Sequence, residues 1–414
     1  MSNLDPEERK QLQLERLQST LNRAFRNVPF HRNRLQEKGL EPSCIESVDD
    51  LALLPFMERK HLGEHYPYGL FAVPLRDIVR IHSAPGTTSN PTVSGYTRQD
   101  MLFWRQMTAN ALEISGVTSQ DILQINLDFG LANWGRDYKD SAEIIGAGVI
   151  PSTTLSLDKQ LMVLRDYKTS VLITTPSMAS ELADHMLKSE VNPAELSLTT
   201  LILVGEHVDH SFRELLEKQL HVKTWLHYGL SEVPGPAIAF ECSEHVGLHV
   251  NEEYFLAEII DPQNGRVVGA GRAGELVLTT LTTRAFPLIR FRTGDRARFA
   301  REICPCGQSL SRIEWLARRT DDMLNIRGVK VHQQQILFQI ERALGFVPDH
   351  YHISKKQQGL KNLLEVWIAV DDTLFSDEIK ALESVVKRVG SILHENLGVP
   401  VTIRLKEKDS FRRK

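Results

Sequence analysis

The sequence predicts an α/β protein with a large N-terminal domain and a small α+β domain behind it. Three observations predict this. From Asp121 to Gly229, short apolar runs alternate with amphipathic segments of helix length, the pattern of βαβ units and a mostly parallel sheet. From about residue 250 to 300 the text changes to closely spaced strand candidates, FLAEIID, GELVLTTL and LIRFRTGD, which suggest a small antiparallel subdomain. A charged segment, Ala317-Arg318-Arg319-Thr320-Asp321-Asp322, then precedes a tail that reads β, α, β, β, α, β.

The elements follow in order. Residues 6–38 are charged, with Leu12, Leu14, Leu17, Leu21 and Phe25 at helical spacing, and read as one or two surface helices. Apolar runs at 49–55 and 79–82 lead to the loop SAPGTTSNPT, an extended VSGYT and a helix from about Arg98 to Ser115. DILQINL, SVLITTP, LTTLILVGE and HVKTWLHYG are strand candidates. Between them lie SAEIIGAGVIP, a helix running into a strand, and the helices DKQLMVLRDY, PSMASELADHML and HSFRELLEKQL. In the tail, HQQQILFQIERAL and SDEIKALESVVKRVGSILHENL are helices, and HYHIS, NLLEVWIAV and VPVTIRL are strands.

Composition excludes several classes. A hydrophobic share of 42% and a charged share of 25% are those of a globular protein, and 414 residues allow two or three domains. A net charge of −4 with no basic cluster argues against a nucleic-acid partner. The polar N-terminus lacks a signal-peptide core, and no run of roughly 18 apolar residues occurs, so neither a membrane association nor a location outside the cytoplasm is expected. Cys44, Cys242, Cys304 and Cys306 are too few for a disulfide framework in a chain of this length.

Residues 82–92 read HSAPGTTSNPT. Backbone N–H groups and hydroxyls of such a loop can cradle phosphate oxygens, although the same composition also makes an ordinary surface turn. Residues 227–236 read HYGLSEVPGP, 290–295 read RFRTGD, and 318–328 read RRTDDMLNIRG. In this order and at these separations the motifs resemble those of the adenylate-forming acyl-CoA synthetase superfamily, and within it the phenylacetate–coenzyme A ligases. The resemblance covers roughly residues 10–410 and is strongest from about 200 to 335.

The resemblance implies a chemistry. A carboxylate attacks the α-phosphorus of ATP, and the resulting acyl-adenylate is attacked by a thiol, with positioning and charge neutralisation supplying most of the catalysis. It implies that Glu232 holds Mg²⁺, that Asp295 accepts hydrogen bonds from both ribose hydroxyls, that Arg319 reaches the ribose or phosphates, and that Gly86, Thr87 and Thr88 remain of the phosphate loop. Val204, Gly205, Glu206, Tyr228 and Gly229 would line the adenine slot, with Ser231 beside Glu232. It also implies domains at 1–318 and 322–414, the first holding ATP and the acid, with a hinge at 319–321 centred on Asp321. A homodimer is expected only from the family.

Cys304-Pro305-Cys306-Gly307 is a tight turn of two thiols, and Cys242, His245 and His249 lie upstream. Three thiolates and one imidazole would make a tetrahedral structural Zn²⁺ site; small buried thiols are the alternative. The resemblance selects His249 over His245.

Three departures from the family pattern stand out. The phosphate loop, approximately SSGTTGKPT in the family, has Pro85, Ser89 and Asn90, which removes a backbone donor, a glycine and a lysine countercharge. The chain ends at Lys414, by alignment just before the family's C-terminal lysine, so no catalytic lysine is assigned. The acyl-pocket segment reads GLANWGRDYKDSAE, with Trp134 and Arg136 in place of small or apolar residues; Gly235 and Pro236 would form another wall. Pointing inward, Arg136 could pair with a second acidic group on the substrate; pointing outward, it is simply solvated.

The leading expectation is ATP-dependent activation of an aromatic carboxylic acid, with coenzyme A as acceptor. A second is an adenylating enzyme of secondary-metabolite or antibiotic biosynthesis that passes the acyl group to another acceptor or to a reductase partner. A third is a weakened homologue that binds nucleotide without turnover.

Overall fold

The computed structural model describes residues 4–84, 90–127, 132–150, 155–233, 235–321, 323–326, 329–358, 361–370 and 379–407. Helix α1 (Pro6–Asn27) starts where Asp5 accepts from the backbone N–H groups of Glu7 and Glu8, with Pro6 in the first turn. Helices α2 (Pro29–Glu37) and α3 (Arg59–Glu64) follow, then a hairpin of β1 (Ile78–Ala84) and β2 (Thr92–Thr97). Next comes α4 (Arg98–Ile114), capped by reciprocal bonds between Thr97 and Asp100. The Asp100 carboxylate also accepts from the backbone of Arg284 and Ala285, so one cap anchors α4 to a distant loop.

The alternating region gives β3 (Ile122–Asn126), α5 (Ala132–Ile145), β4 (Gly148–Ile150), α6 (Leu157–Asp166), β5 (Val171–Thr174), α7 (Pro176–Lys188), β6 (Thr200–Val204), α8 (His210–Leu220) and β7 (Lys223–Tyr228). Then come β8 (Ala239–Phe240), β9 (Leu248–Val250), β10 (Phe255–Ile260), β11 (Gly274–Thr280), β12 (Phe291–Phe299) and β13 (Arg312–Arg319). The last elements are β14 (Leu324–Ile326), β15 (Val329–Val331), α9 (Gln333–Leu344), β16 (Tyr351–Gln358), β17 (Lys361–Val370), α10 (Ile379–Leu397) and β18 (Val401–Glu407).

One feature differs from expectation. Among the described residues, the antiparallel strands do not form a separate sheet. They continue the parallel one in the order β10-β11-β12-β13-β9-β8-β7-β6-β5-β3-β4. The pairs from β4 to β7 are parallel and those from β7 to β10 antiparallel. The joint is made by β8 and β9, two and three residues long, too short for an alternation pattern to reveal. Helix α5 also starts earlier than read, at Ala132.

A large core spans α4, α7, α8 and the central strands, while β14–β18, α9 and α10 enclose a core of their own around Ile336, Ile340, Leu364 and Leu393. That separate core supports treating the tail as a small α+β domain. It touches the large domain where β17 rests on α7 and where Asn325 Nδ2 donates to the Gly205 carbonyl at 2.5 Å. No described helix is long and apolar enough to cross a membrane.

Candidate active site

The site lies where parallel strands end. In such sheets the carboxyl ends of the strands frame the ligand crevice. Strand β6 ends in Val204 and turns at Gly205, whose φ of +81° suits glycine, into a buried Glu206 that accepts from Ser177 Oγ at 2.7 Å. Strand β7 ends in Tyr228. A side chain on Gly229 would meet the Pro236 carbonyl oxygen at 2.8 Å, so this turn closes only around glycine.

Tyr228 is buried and its hydroxyl donates to Asp295 Oδ2 at 2.8 Å. Burial, then the neighbouring carboxylate, pushes that phenol well above its ordinary value, so it remains a donor. Asp295 on β12 faces Arg319 on β13 in register, and the guanidinium donates to Asp295 Oδ1. Arg319 also donates to the Thr293 carbonyl at 2.7 Å and to both oxygens of Asp321 at 2.7 and 2.8 Å. Burial opposes both charges. Arg319 is nonetheless raised by Asp295 and Asp321, and Asp321 is lowered by the Arg319 bonds.

Glu232 is 1% exposed. Ser231 Oγ donates to it at 3.2 Å, and on its other oxygen sits the guanidinium of Arg59. Sequence reasoning missed Arg59. It opens α3 after a Glu58 cap, in a stretch (MERKHLGEH) whose charges read as an ordinary surface helix. The fold turns it inward: it is 8% exposed, donates to the Thr293 carbonyl at 3.2 Å and lies 5.6 Å over the Phe291 ring. Burial, then Arg319, lowers it to about 10, so it stays charged at neutral pH. A cavity of about 410 Å³ beside it is lined by Gly294, Thr320, Asp321 and His332.

Thus Tyr228, Ser231, Glu232, Asp295, Arg319 and Asp321 converge, with Gly205 and Glu206 at the adjoining strand end. Gly86, Thr87 and Thr88 lie outside the described residues, as does Lys414. Of the expected acyl-pocket residues, Gly235 at φ +89° packs against Trp104 and Met107, where an added side chain would come within 2.4 Å of both. Trp104, Tyr96 and His82 form a buried aromatic group there that sequence reasoning did not find. Trp134 instead fills a core with Ile125 and Tyr138, and Arg136 is exposed.

The sulfur cluster is assembled. Cys242 follows β8, His249 is central in β9, and Cys304 and Cys306 lie in the β12–β13 connection. Their ligand atoms all lie within 4.8 Å of one another, with Cys242 Sγ 3.5 Å from Cys304 Sγ and Cys306 Sγ 3.4 Å from His249 Nε2. His245 turns away to Glu241 and Trp225. Three soft thiols and one imidazole converging on one point fit a tetrahedral zinc.

Residues 328–414 match the AMP-binding enzyme C-terminal domain. A 2-hydroxyisobutyryl-CoA ligase solved in its thioesterification state with 2-HIB-AMP and CoA superposes with a TM-score of 0.90, at 24% identity over 100% of this chain and 89% of that one. The same ligase in a postadenylation state gives 0.70. The fold is therefore that of an adenylate-forming ligase.

The phenylacetate–coenzyme A ligase of Thermus thermophilus is 35% identical over 98% of this chain and 94% of its own length, and that of Pseudomonas putida 36% over 87% and 81%. The chain belongs to the phenylacetate–coenzyme A ligase family.

Proposed function

We propose that this enzyme activates an aromatic carboxylic acid, phenylacetate foremost, as its acyl-adenylate with Mg²⁺ and ATP, and transfers the acyl group to coenzyme A. The observation that carries this reading is the buried contact of Tyr228, Asp295 and Arg319, three residues from separate motifs meeting at the ends of the parallel strands.

In this reading Asp295 accepts from the ribose hydroxyls, its carboxylate held in place by Tyr228 and Arg319. Gly205, Glu206, Tyr228 and Gly229 form the slot for the adenine. Glu232, a buried carboxylate, offers the hard oxygen that Mg²⁺ prefers. The acid enters beside Gly235 and Pro236, against the Trp104 and Tyr96 rings. The domain of residues 322–414 rotates about 319–321 between the two half-reactions, which suits catalytic sites completed by domain closure. Cys242, His249, Cys304 and Cys306 hold a structural Zn²⁺ away from the chemistry.

Pyrophosphate release with a panel of aromatic acids, followed by thioester detection on adding coenzyme A, tests the proposal. Release with arylacetates and a coenzyme A thioester are expected. ATP binding without release for any acid would overturn it in favour of a nucleotide-binding homologue. Release without thioester would point to another acceptor.

A further inference from the structure

The geometry points to Arg59 as a catalytic residue of the adenylation step, the cation that contacts the nucleotide phosphates once Mg²⁺ has taken Glu232. This inference rests on the function proposed above and names a phosphate-binding group that the sequence motifs do not contain.

Three observations lead to it. First, the loop of residues 82–92 carries Asn90 where the family pattern has a lysine, so it offers one positive charge fewer. Second, Arg59 brings a guanidinium to the side chain assigned to the metal. It is buried, with one Nη on Glu232 and the other on the Thr293 carbonyl, and the Phe291 ring supports its face. Third, it borders the cavity that Gly294 and Asp321 also line, on the side of the ribose-binding carboxylate.

The physical argument concerns what happens when the metal binds. Glu232 now neutralises Arg59. A divalent cation on the same carboxylate repels the guanidinium and leaves it only the influence of Asp295 and Asp321, which Arg319 already holds, a costly state for a buried charge unless another anion arrives. The triphosphate that arrives with the metal is such an anion, and a guanidinium matches phosphate oxygens with paired donors. In the reaction the substrate carboxylate oxygen forms a bond to the α-phosphorus while the bond to pyrophosphate breaks, and no proton is transferred. Negative charge shifts onto the departing pyrophosphate, and a fixed cation there stabilises the transition state more than the ground state. Loss of the phosphate-loop lysine is thereby offset by a residue from a helix about thirty positions earlier in the chain, at Arg59 rather than Asn90.

The test uses the full-length protein with Arg59→Gln and Arg59→Lys, and three readouts: ATP–pyrophosphate exchange with phenylacetate, direct binding of Mg·ATP, and thioester formation from supplied phenylacetyl-adenylate and coenzyme A. Arg59→Gln is expected to lower exchange about 100-fold or more, the scale of losing one preorganised charge-stabilising group. It should also weaken Mg·ATP binding, while thioester formation from the adenylate changes less than about threefold, since that step breaks no phosphate bond to pyrophosphate. Arg59→Lys keeps the charge and is expected to recover most of the exchange. Exchange and Mg·ATP binding that survive Arg59→Gln would overturn the inference. So would both half-reactions falling together with no recovery in the lysine variant, the mark of a purely structural arginine. A wild-type enzyme that exchanges with no acid overturns the proposed function instead. In that case weaker Mg·ATP binding in Arg59→Gln, restored in Arg59→Lys, still supports Arg59 as the phosphate ligand, and unchanged binding removes it.

Discussion

Arg319 grips Asp321 with two parallel hydrogen bonds, Nε to Oδ1 at 2.7 Å and Nη2 to Oδ2 at 2.8 Å. The side chain expected at the ribose is thus tied to the residue expected at the hinge. This pairing belongs to the domain arrangement seen here, in which β12 and β13 lie side by side. A paired, partly buried bidentate contact is worth about 1–2 kcal/mol, or roughly tenfold in an equilibrium. Asp321→Ala is therefore expected to slow thioester formation about tenfold and to alter adenylation less than threefold. Single-turnover measurement of each half-reaction checks this, and equal slowing of both would remove Asp321 from the hinge.

Gly294 shapes the same contact from beneath. It holds φ at +74°, and a methyl group there would lie 2.2 Å from Asp321 Oδ2 and 2.4 Å from Arg319 Nη2. Neither side chain can withdraw without giving up its partner. Gly294→Ala is expected to cost about 1–3 kcal/mol in stability from the backbone strain, and to lower the overall rate at least about 100-fold by displacing Arg319. Urea denaturation and steady-state kinetics together check it. An unaltered KM for ATP would mean that Arg319 does not serve the nucleotide.

The cysteine cluster sits at the far end of the β12–β13 hairpin that carries Asp295 and Arg319 at its near end. It joins that hairpin to β8 and β9, the short strands that weld the parallel and antiparallel parts into one sheet. Metal analysis is expected to find one zinc per chain. Cys304→Ser should lose it and lower the melting temperature by several degrees, as a change of about 2 kcal/mol does in a chain of this size. Zinc-free protein with an unchanged melting curve would reduce the cluster to four packed side chains.

How much of this was legible in the sequence depended on the kind of signal. Strands β3 to β7 and their helices were readable because each is long enough to show its period, and the motif residues Tyr228, Glu232, Asp295 and Arg319 converge as their order implied. The choice of His249 over His245 also agrees with the assembled cluster. The single mixed sheet was not legible, because β8 and β9 are shorter than any detectable repeat. Arg59 escaped for a different reason. A cation at the start of a short polar helix has the same local sequence whether it faces water or a buried carboxylate, and only the approach of α3 to β12 decides which. Trp134 stands where a small residue is expected and so reads as a pocket residue in the sequence, whereas its ring packs with Ile125 and Tyr138 in the core.

Buried histidines give the molecule an acid limit. His227 is enclosed between Tyr138 and Ser115: the Ser115 hydroxyl donates to the Ala111 carbonyl and accepts from His227 Nε2, and the Tyr138 hydroxyl meets His227 Nδ1, each bond at 2.9 Å. Burial keeps the ring neutral at neutral pH, with Nδ1 as the acceptor. Burial lowers His227 and His31 to about 3 and His82 to about 4. Because the folded values lie below the unfolded one, the unfolded chain binds protons first on acidification. Stability is then complete above about pH 6.5 and declines as pH falls from there toward the folded values. Between pH 6.5 and 5 each such histidine contributes a loss of about 2 kcal/mol. Urea denaturation of the wild type at pH 7 and pH 5 should show this fall, and His227→Gln should reduce the difference by about 2 kcal/mol even where its stability at pH 7 is lower. An undiminished difference in that variant would mean that His227 is not among the groups that set the limit.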